Sequence, residues 1–340
     1  MTSLASFLSQ WAHRGEDRRA VAATIEALAD ASRLIADLVS DGPLNGNLAA
    51  AVEENVQGEV QKALDRITND RLIEACRAAP VAAIASEELD HPVLGTPGAP
   101  LLVAIDPLDG SSNIDTNVSI GTIFSILPAP EQVDPRSHAA FLQKGRNQLA
   151  AGYILYGPQT NLVLTVGEGT QIFTLDRRRG DYVLTARHVK IPEKTREFAI
   201  NASNSRHWDE PIKAYVAECQ AGQDGGRGED TNMRWVGSLV ADGHRILIRG
   251  GVYLYPSDQR SGYRQGRLRL LYECNPLAFI VEQAGGGATT GDMAVLDVEP
   301  AKLHQRVAFI FGSSHEVARI EDHHVGPEYV EAHRRRRASA

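Results

Sequence analysis

An apolar segment that leads into two aspartates constrains this chain more than any other stretch. Residues Leu101–Ile105 have the pattern of a buried β-strand, and Asp106 and Asp109 follow it directly. The small residues Gly110–Asn113 come next. A strand end positions its side chains rigidly, and Gly110 lets a ligand approach while the N–H groups after it point at an anion. The pattern predicts a site for a metal ion and a phosphate group at the end of a strand.

The same string has a purely structural interpretation, in which the aspartates form a turn and the serines cap a helix. A second acidic element favours the functional one, because Glu87 and Glu88 directly follow the apolar strand Val81–Ala85 and Ser86. Successive side chains of a strand point to opposite faces, so both glutamates serve one site only if the strand ends before them. Clustered carboxylates without His or Cys nearby are what Mg²⁺ and Mn²⁺ select.

Length and charge limit the classes of function. The chain has 340 residues, about twice a typical single domain, and we predict two domains with a boundary near residue 190. Its formal net charge of −8 disfavours nucleic acid as a partner. No apolar run approaches the roughly 18 residues of a membrane helix, and Met1–Arg19 lacks a secretory pattern, so we expect no membrane partner and a cytoplasmic location. The three cysteines are widely spaced and are expected to be reduced thiols, neither disulfide-bonded nor zinc ligands.

Hydrophobic periodicity predicts mixed α/β structure. Helices are predicted in the first 75 residues, with Val21, Ile25, Leu28, Ile35 and Leu38 forming one buried stripe and a second helix running from about Glu53 to Cys76. Further helices are predicted at Ile212–Cys219, at Val236–Ile248 and from Asn275 onward. Besides the two strands above, short apolar runs predict strands at Val118–Leu127, Tyr153–Tyr156, Leu162–Val166, Ile172–Leu175 and Val252–Tyr255.

Four strings carry a resemblance to a known family. They are Ser86–Glu88, Asp106–Ile123, Met233–Pro256 and Gly266–Gly291. Together they resemble class 1 fructose-1,6-bisphosphatase, and the likeness extends over nearly the whole chain. In the related inositol monophosphatases the aspartate string is followed by threonine rather than by Ser-Ser-Asn-Ile-Asp. The resemblance implies a layered α/β/α/β/α fold with mixed sheets in two domains and the active site between them. Residues 1–189 would carry most metal ligands, and residues 190–340 would bind the sugar phosphate.

The resemblance implies hydrolysis of the 1-phosphate of fructose 1,6-bisphosphate with the help of two or three Mg²⁺ or Mn²⁺ ions. Matching positions give as metal ligands the carboxylates of four acidic residues and one backbone carbonyl: Glu87, Asp106, Leu108 (carbonyl), Asp109 and Glu273. Such ions neutralise charge on the phosphoryl group and lower the pKa of a bound water. Glu88 would be the general base, with Asp65 and Glu59 positioning the water or its proton path.

The resemblance also implies how the sugar phosphate is held. Asp109, Gly110, Ser111 and Ser112 would lie at the 1-phosphate, and Asn201, Arg234, Tyr255 and Arg267 at the 6-phosphate. Because the arginine matching Arg234 comes from a neighbouring subunit in this family, a homotetramer is expected.

Several positions depart from the animal enzymes of the family. Asn201–Asn204 replaces Asn-Glu-Gly-Tyr, Trp235 replaces a tyrosine and Arg267 replaces a lysine. Arginine grips phosphate bidentately where lysine acts as a point charge, so sugar selectivity stays open and sedoheptulose-1,7-bisphosphatase activity is an alternative. A catalytically silent sugar-phosphate sensor is an alternative of another class. It is disfavoured because the acids Glu87, Glu88, Asp106, Asp109 and Glu273 are all present.

Regulation is expected to differ from that of the better-known relatives. The segments that bind AMP in the animal enzymes are replaced here by Arg14–Arg19 and Pro100-Leu101, although Arg146 is kept. AMP inhibition should therefore be weak or absent. Thioredoxin control, as in the chloroplast enzymes, is not expected because no cysteine lies between Cys76 and Cys219.

Overall fold

The computed structural model describes residues 2–48, 50–54 and 60–326, with the backbone alone for 51–54 and 60–61. The helices of this part are α1 Leu4–Ala12, α2 Glu16–Asp41, α3 Ala63–Arg77, α4 His138–Phe141, α5 Glu210–Ala221, α6 Leu239–Arg249, α7 Asn275–Gln283 and α8 Ser314–Val325. The first strands are β1 Ala51–Glu54, β2 Val60–Lys62, β3 Val81–Ser86, β4 Val93–Leu94, β5 Leu101–Asp109, β6 Ile120–Pro128, β7 Ala150–Tyr156, β8 Thr160–Thr165, β9 Thr170–Asp176 and β10 Asp181–Val189. The later strands are β11 Glu197–Ile200, β12 Asn232–Met233, β13 Val252–Tyr255, β14 Leu268–Arg269, β15 Gly287–Thr289, β16 Arg306–Val307 and β17 Phe309–Gly312.

Two large mixed sheets organise these elements. The first has eight strands in the order β10-β9-β8-β7-β6-β5-β3-β4, antiparallel throughout except for the parallel pair β3 and β5. The second has five strands in the order β12-β11-β13-β17-β15, with β11 parallel to both of its neighbours. The predicted boundary near residue 190 falls between β10 of the first sheet and β11 of the second. The division into domains stays a prediction.

Successive side chains of a strand point to opposite faces of the sheet, so the apolar side chains of the first sheet contribute to two separate cores, one on each face. On one face of the first sheet, Val103 and Phe124 pack with α1, α2 and α3 in a common core. On the other face, Tyr153 and Val163 share a core with α6, α7 and the inner face of the second sheet, including Phe311. The outer face of the second sheet is covered by α5 and α8. The layers follow the order α/β/α/β/α, which confirms the predicted fold class.

The predicted helix from Glu53 to Cys76 begins too early. Residues 51–54 and 60–62 pair as an antiparallel ribbon, and the helix starts at Ala63. The Asp65 carboxylate accepts a hydrogen bond of 2.7 Å from the Lys62 backbone N–H group, which satisfies a free donor at the helix start. The predicted helix at Val236 likewise begins later, at Leu239. Gly237 has a φ of +84°, which lies outside the helical region.

The other sequence predictions hold with small shifts of the element ends. Val21, Ile25, Leu28 and Ile35 are buried on α2, whereas Leu38 is only partly buried. Strand β10 was missed, because its outer half carries polar residues, including Arg187 and His188, and resembles a loop. No helix of the described residues is both long and apolar enough to cross a membrane.

The three cysteines give a direct test of the core. Cys76, Cys219 and Cys274 are free and buried, and burial raises the pKa of Cys76 to about 12 and also raises the pKa of the other two thiols. Since the thiolate is the reactive form, the native protein should react with a thiol reagent such as DTNB at less than one group per chain over minutes. In guanidinium all three should react. Rapid reaction of the native chain would contradict this packing.

Candidate active site

A bulge in β5 places Asp106 and Asp109 on the same side of the strand. Asp106 lies opposite Ile123 of β6 and Asp109 lies opposite Gly121, so three steps on β5 match two on its partner. In a regular strand, residues three apart face opposite ways, and one extra residue restores a common face. The sequence predicted that the strand ends at Ile105, whereas it continues to Asp109. Both aspartates therefore belong to the last residues of β5.

Glu273 approaches these aspartates from the second half of the chain. It lies in a π-helical turn, Leu270–Cys274, that directly precedes α7. Such wide turns occur frequently at functional sites because they re-aim a side chain. Asp106, Asp109 and Glu273 are all buried, and each offers a carboxylate oxygen within 4.8 Å of the other two.

Glu87 joins the cluster through a buried arginine. Strand β3 ends at Ser86, so Glu87 and Glu88 are both released from the strand, as the sequence argument required. The Arg269 guanidinium Nη1 lies 2.9 Å from Glu87 Oε1 and 3.9 Å from Glu273 Oε2. Glu273 Oε2 also accepts a hydrogen bond of 2.6 Å from the Arg269 backbone N–H group. One guanidinium thus faces at least two carboxylates in a buried setting.

Burial and the neighbouring carboxylates raise the pKa values of the two aspartates in this cluster. Burial, followed by the charges of Glu87, Asp109 and Glu273, raises the pKa of Asp106 well above its ordinary value. Burial also raises the pKa of Asp109 to about 7, although the N–H group of Val240 opposes the shift. Buried carboxylates whose pKa values rise in this way fit a divalent cation, because oxygen-rich sites of high negative charge are what Mg²⁺ and Mn²⁺ bind.

Asp65 and Glu88 lie on the side of the cavity near α3. Burial raises the pKa of Asp65 to about 7, and the charge of Glu88 adds to the rise. The Asp65 Oδ1 atom is buried and lacks a hydrogen bond of ordinary geometry within the described part of the chain. The Glu88 backbone N–H group donates to Ser86 Oγ at 3.3 Å, and Ser86 in turn donates to Asn69 Oδ1 at 2.7 Å. These bonds fix the backbone that carries Glu88.

The turn after β5 meets the start of α6. The Asp109 Oδ2 atom accepts a hydrogen bond of 2.9 Å from the Val240 N–H group and a longer one of 3.5 Å from Ser238 Oγ. Gly110 has a φ of +79°, and a Cβ there would lie 3.1 Å from Ser238 Oγ, so the turn requires glycine. A short 3₁₀ helix, Ser111–Thr116, follows it.

Arg267 and Tyr255 also line this cavity, and Tyr263 lies beside Arg267. The Arg267 guanidinium lies 4.7 Å from the ring centre of Tyr263 and 5.9 Å from that of Tyr255. The Arg260 guanidinium covers Tyr263 at 4.3 Å. Aromatic faces hold cations in this way, so the Arg267 charge has a restrained position.

Twelve of the predicted site residues line one cavity of about 500 Å³. Those that line it are Asp65, Glu87, Glu88, Asp106, Leu108, Asp109, Gly110, Ser111, Ser112, Tyr255, Arg267 and Glu273. A larger cavity of about 680 Å³ lies elsewhere, beside the end of α2, and is lined mostly by apolar and uncharged residues. The acids and cations that chemistry requires converge in the smaller one.

Two predicted residues that the structure describes lie outside this cavity. Asn201 lines a neighbouring recess with Tyr255, and its Oδ1 atom accepts a hydrogen bond of 3.2 Å from the Ser203 N–H group. Arg234 follows the edge strand β12, and its Nε atom lies 3.8 Å from Glu197 Oε1. Glu59 lies outside the described residues.

Sequence reasoning missed three residues that line the cavity: Lys62, Leu268 and Arg269. It also missed Ser238, which hydrogen-bonds Asp109 from outside the lining. Arg269 was detectable, because it lies four residues before Glu273, a spacing that brings side chains together in a helical turn. Lys62 and Ser238 gave no signal, since both come from segments that meet the site only after folding.

A layered α/β body whose cavity is lined both by buried carboxylates and by a restrained arginine is typical of the class of sugar-phosphate phosphatases. Family models for the N-terminal and C-terminal domains of fructose-1,6-bisphosphatase match residues 4–187 and 191–325. The chain belongs to the class 1 fructose-1,6-bisphosphatase family.

Individual relatives agree with this assignment. A class 1 fructose-1,6-bisphosphatase of Xanthobacter autotrophicus is 56% identical over 96% of this chain and 87% of its own length. A class 1 fructose-1,6-bisphosphatase of Rhizobium meliloti is 53% identical over 96% of this chain and 95% of its own length. The crystal structure of Leishmania major fructose-1,6-bisphosphatase in holo form superposes with a TM-score of 0.89, at 33% identity, over 96% of this chain and 99% of that one.

Proposed function

We propose that the protein hydrolyses the 1-phosphate of fructose 1,6-bisphosphate to give fructose 6-phosphate and phosphate. The observation that carries the proposal is the joint lining of one cavity by the acidic cluster and by Arg267. A bisphosphate has two anionic groups, and this cavity is lined by metal-binding acids for one and by the Arg267 cation for the other. The relatives are named for the same reaction.

Glu87, Asp106, Asp109 and Glu273, with the carbonyl of Leu108, would hold two or three Mg²⁺ or Mn²⁺ ions. When bound, such ions neutralise charge on the phosphoryl group and make water a better nucleophile. Arg269 restrains two of these carboxylates, and the N-terminal end of α6 restrains Asp109. The protein thus holds its carboxylates in place before the ions and the substrate arrive.

Glu88 would accept the proton of the attacking water, and Asp65 would hold that water in line. With a pKa of about 7, Asp65 lies in the range where a carboxyl group both donates and accepts protons near neutral pH. Ser111 and Ser112 would contact the 1-phosphate. Tyr255 and Arg267 would hold the 6-phosphate together with Asn201, whose recess shares Tyr255.

A homotetramer in the cytoplasm completes the proposal. Arg234 has a side chain that is 53% exposed and lies outside the cavity, on the edge of the second sheet. An arginine placed there would serve a site on a neighbouring subunit rather than its own.

The test is phosphate release with metal and with EDTA. With Mg²⁺ or Mn²⁺ we expect turnover of fructose 1,6-bisphosphate, EDTA should lower the rate at least 100-fold, on the order expected for losing metal-ion catalysis, and excess metal should restore it. A sensor would bind the sugar phosphate but release none. We expect kcat/KM to be higher for fructose 1,6-bisphosphate than for sedoheptulose 1,7-bisphosphate, and the reverse order would contradict the proposed substrate.

A further inference from the structure

A second polar cavity, of about 720 Å³, lies beside the β14–β16 ribbon and is here called the basic basin. Residues 261–262 and 264–266 line one side, and Lys302, His304 and Arg306 line the other. None of the described residues that line it is acidic. Among these residues none also lines the active-site cavity, although the two cavities share the ribbon in which Arg269 pairs with Arg306.

Two cationic side chains of the basin have no counter-charge among the residues that the structure describes. The side chains of Arg264 and Lys302 are exposed and form no hydrogen bond or ion pair with any residue that the structure describes. Arg306 of β16 also lines the basin. Like charges around a concave surface concentrate a positive potential there, which is notable in a chain whose formal net charge is −8.

The backbone around the basin is held in place before any ligand binds. Gly266 has a φ of +96°, and a Cβ at this position would lie 2.0 Å from the Val307 carbonyl oxygen, so the turn fits closely against β16. The Gly266 N–H group donates to the Tyr263 carbonyl at 2.9 Å, and the same carbonyl accepts from Asp258 N–H at 3.1 Å. On the opposite side, His304 Nε2 lies 3.1 Å from the Leu89 carbonyl oxygen.

We propose that the basic basin is a second oxyanion site, separate from the active site, that binds a small phosphorylated metabolite through its phosphate group. Arginine offers paired N–H donors that match phosphate oxygens, and lysine adds a mobile positive charge. A cavity of about 720 Å³ lies within the range, roughly 300–1,000 Å³, that accommodates small ligands. The site does not depend on the proposed reaction, since none of its residues is assigned to catalysis or substrate binding.

Equilibrium dialysis against radiolabelled inorganic phosphate tests this proposal, using EDTA-treated full-length protein at low ionic strength. The wild type should bind two phosphates per chain, one in the basin and one at Arg267. The double variant Arg264→Glu, Lys302→Glu should lose one of them, with at least tenfold weaker binding, whereas Arg267→Leu should retain the basin phosphate. The milder Arg264→Gln, Lys302→Gln pair covers the case in which charge reversal prevents folding.

The double variant Arg71→Glu, Arg136→Glu is a matched control, because it changes the net charge equally at exposed positions outside the basin. It should still bind two phosphates. Unchanged binding in both basin variants, or equal loss in the control, would overturn the proposal. At saturating substrate, kcat of the basin variants should stay within about twofold of wild type. A chain that bound two phosphates but released none from the sugar would contradict the proposed reaction and leave the basin standing.

Discussion

The Glu88→Gln variant should lose about 10²- to 10⁴-fold in kcat, with KM changed by less than about threefold, the loss expected when a general base is removed. Glu88 lines the cavity beside Asp65, and its backbone is fixed through Ser86. Glutamine keeps the size and polarity of the side chain but cannot accept the proton. Steady-state phosphate release at saturating Mg²⁺ measures the effect.

Glu74→Gln is the matched control, since it removes the same carboxylate from an exposed position on α3. It should keep the wild-type rate. Full turnover in Glu88→Gln would remove Glu88 from the mechanism and point to Asp65 as the group that accepts the proton.

The candidate site shows which features local sequence encodes. Asp106, Asp109, Glu87 and Glu88 were found because each follows an apolar run, and burial of that run fixes where the acids emerge. The extra residue in β5 was not predicted, because a bulge depends on how the neighbouring strand β6 pairs with it. The sequence therefore identified the acids without showing how two residues three apart reach one face.

Residues from distant segments needed either the resemblance or the structure. Glu273 lies in a π-helical turn, and nothing in its local pattern distinguishes it from an ordinary helical acid. Lys62 belongs to a β-ribbon that helix propensity alone had assigned to a helix. Strand pairing over long separations decides such cases, and local propensity does not record it.

In the absence of metal, the free energy of unfolding should fall as pH rises. Carboxylates whose pKa is lowered by folding have the opposite effect. The folded state raises the pKa of Asp65 and of Asp109 from the ordinary 3.8 to about 7, and that of Asp106 also rises. Between about pH 4 and pH 7 the folded chain therefore keeps protons that the unfolded chain has lost, so the free energy of unfolding falls as pH rises. In EDTA we expect Tm to drop by about 5 °C from pH 5.5 to pH 8.

Added Mg²⁺ or Mn²⁺ should reverse this loss, and the gain should be largest at pH 8, where the carboxylates would otherwise repel one another without protons. Asp109→Asn provides the control, because it removes one of the titrating groups and one metal ligand. Its Tm in EDTA should fall less with pH, and metal should raise it less. A wild-type Tm that rose between pH 5.5 and pH 8 in EDTA, or that ignored metal at pH 8, would mean that the acids are neutralised within the fold and that the cluster does not bind cations.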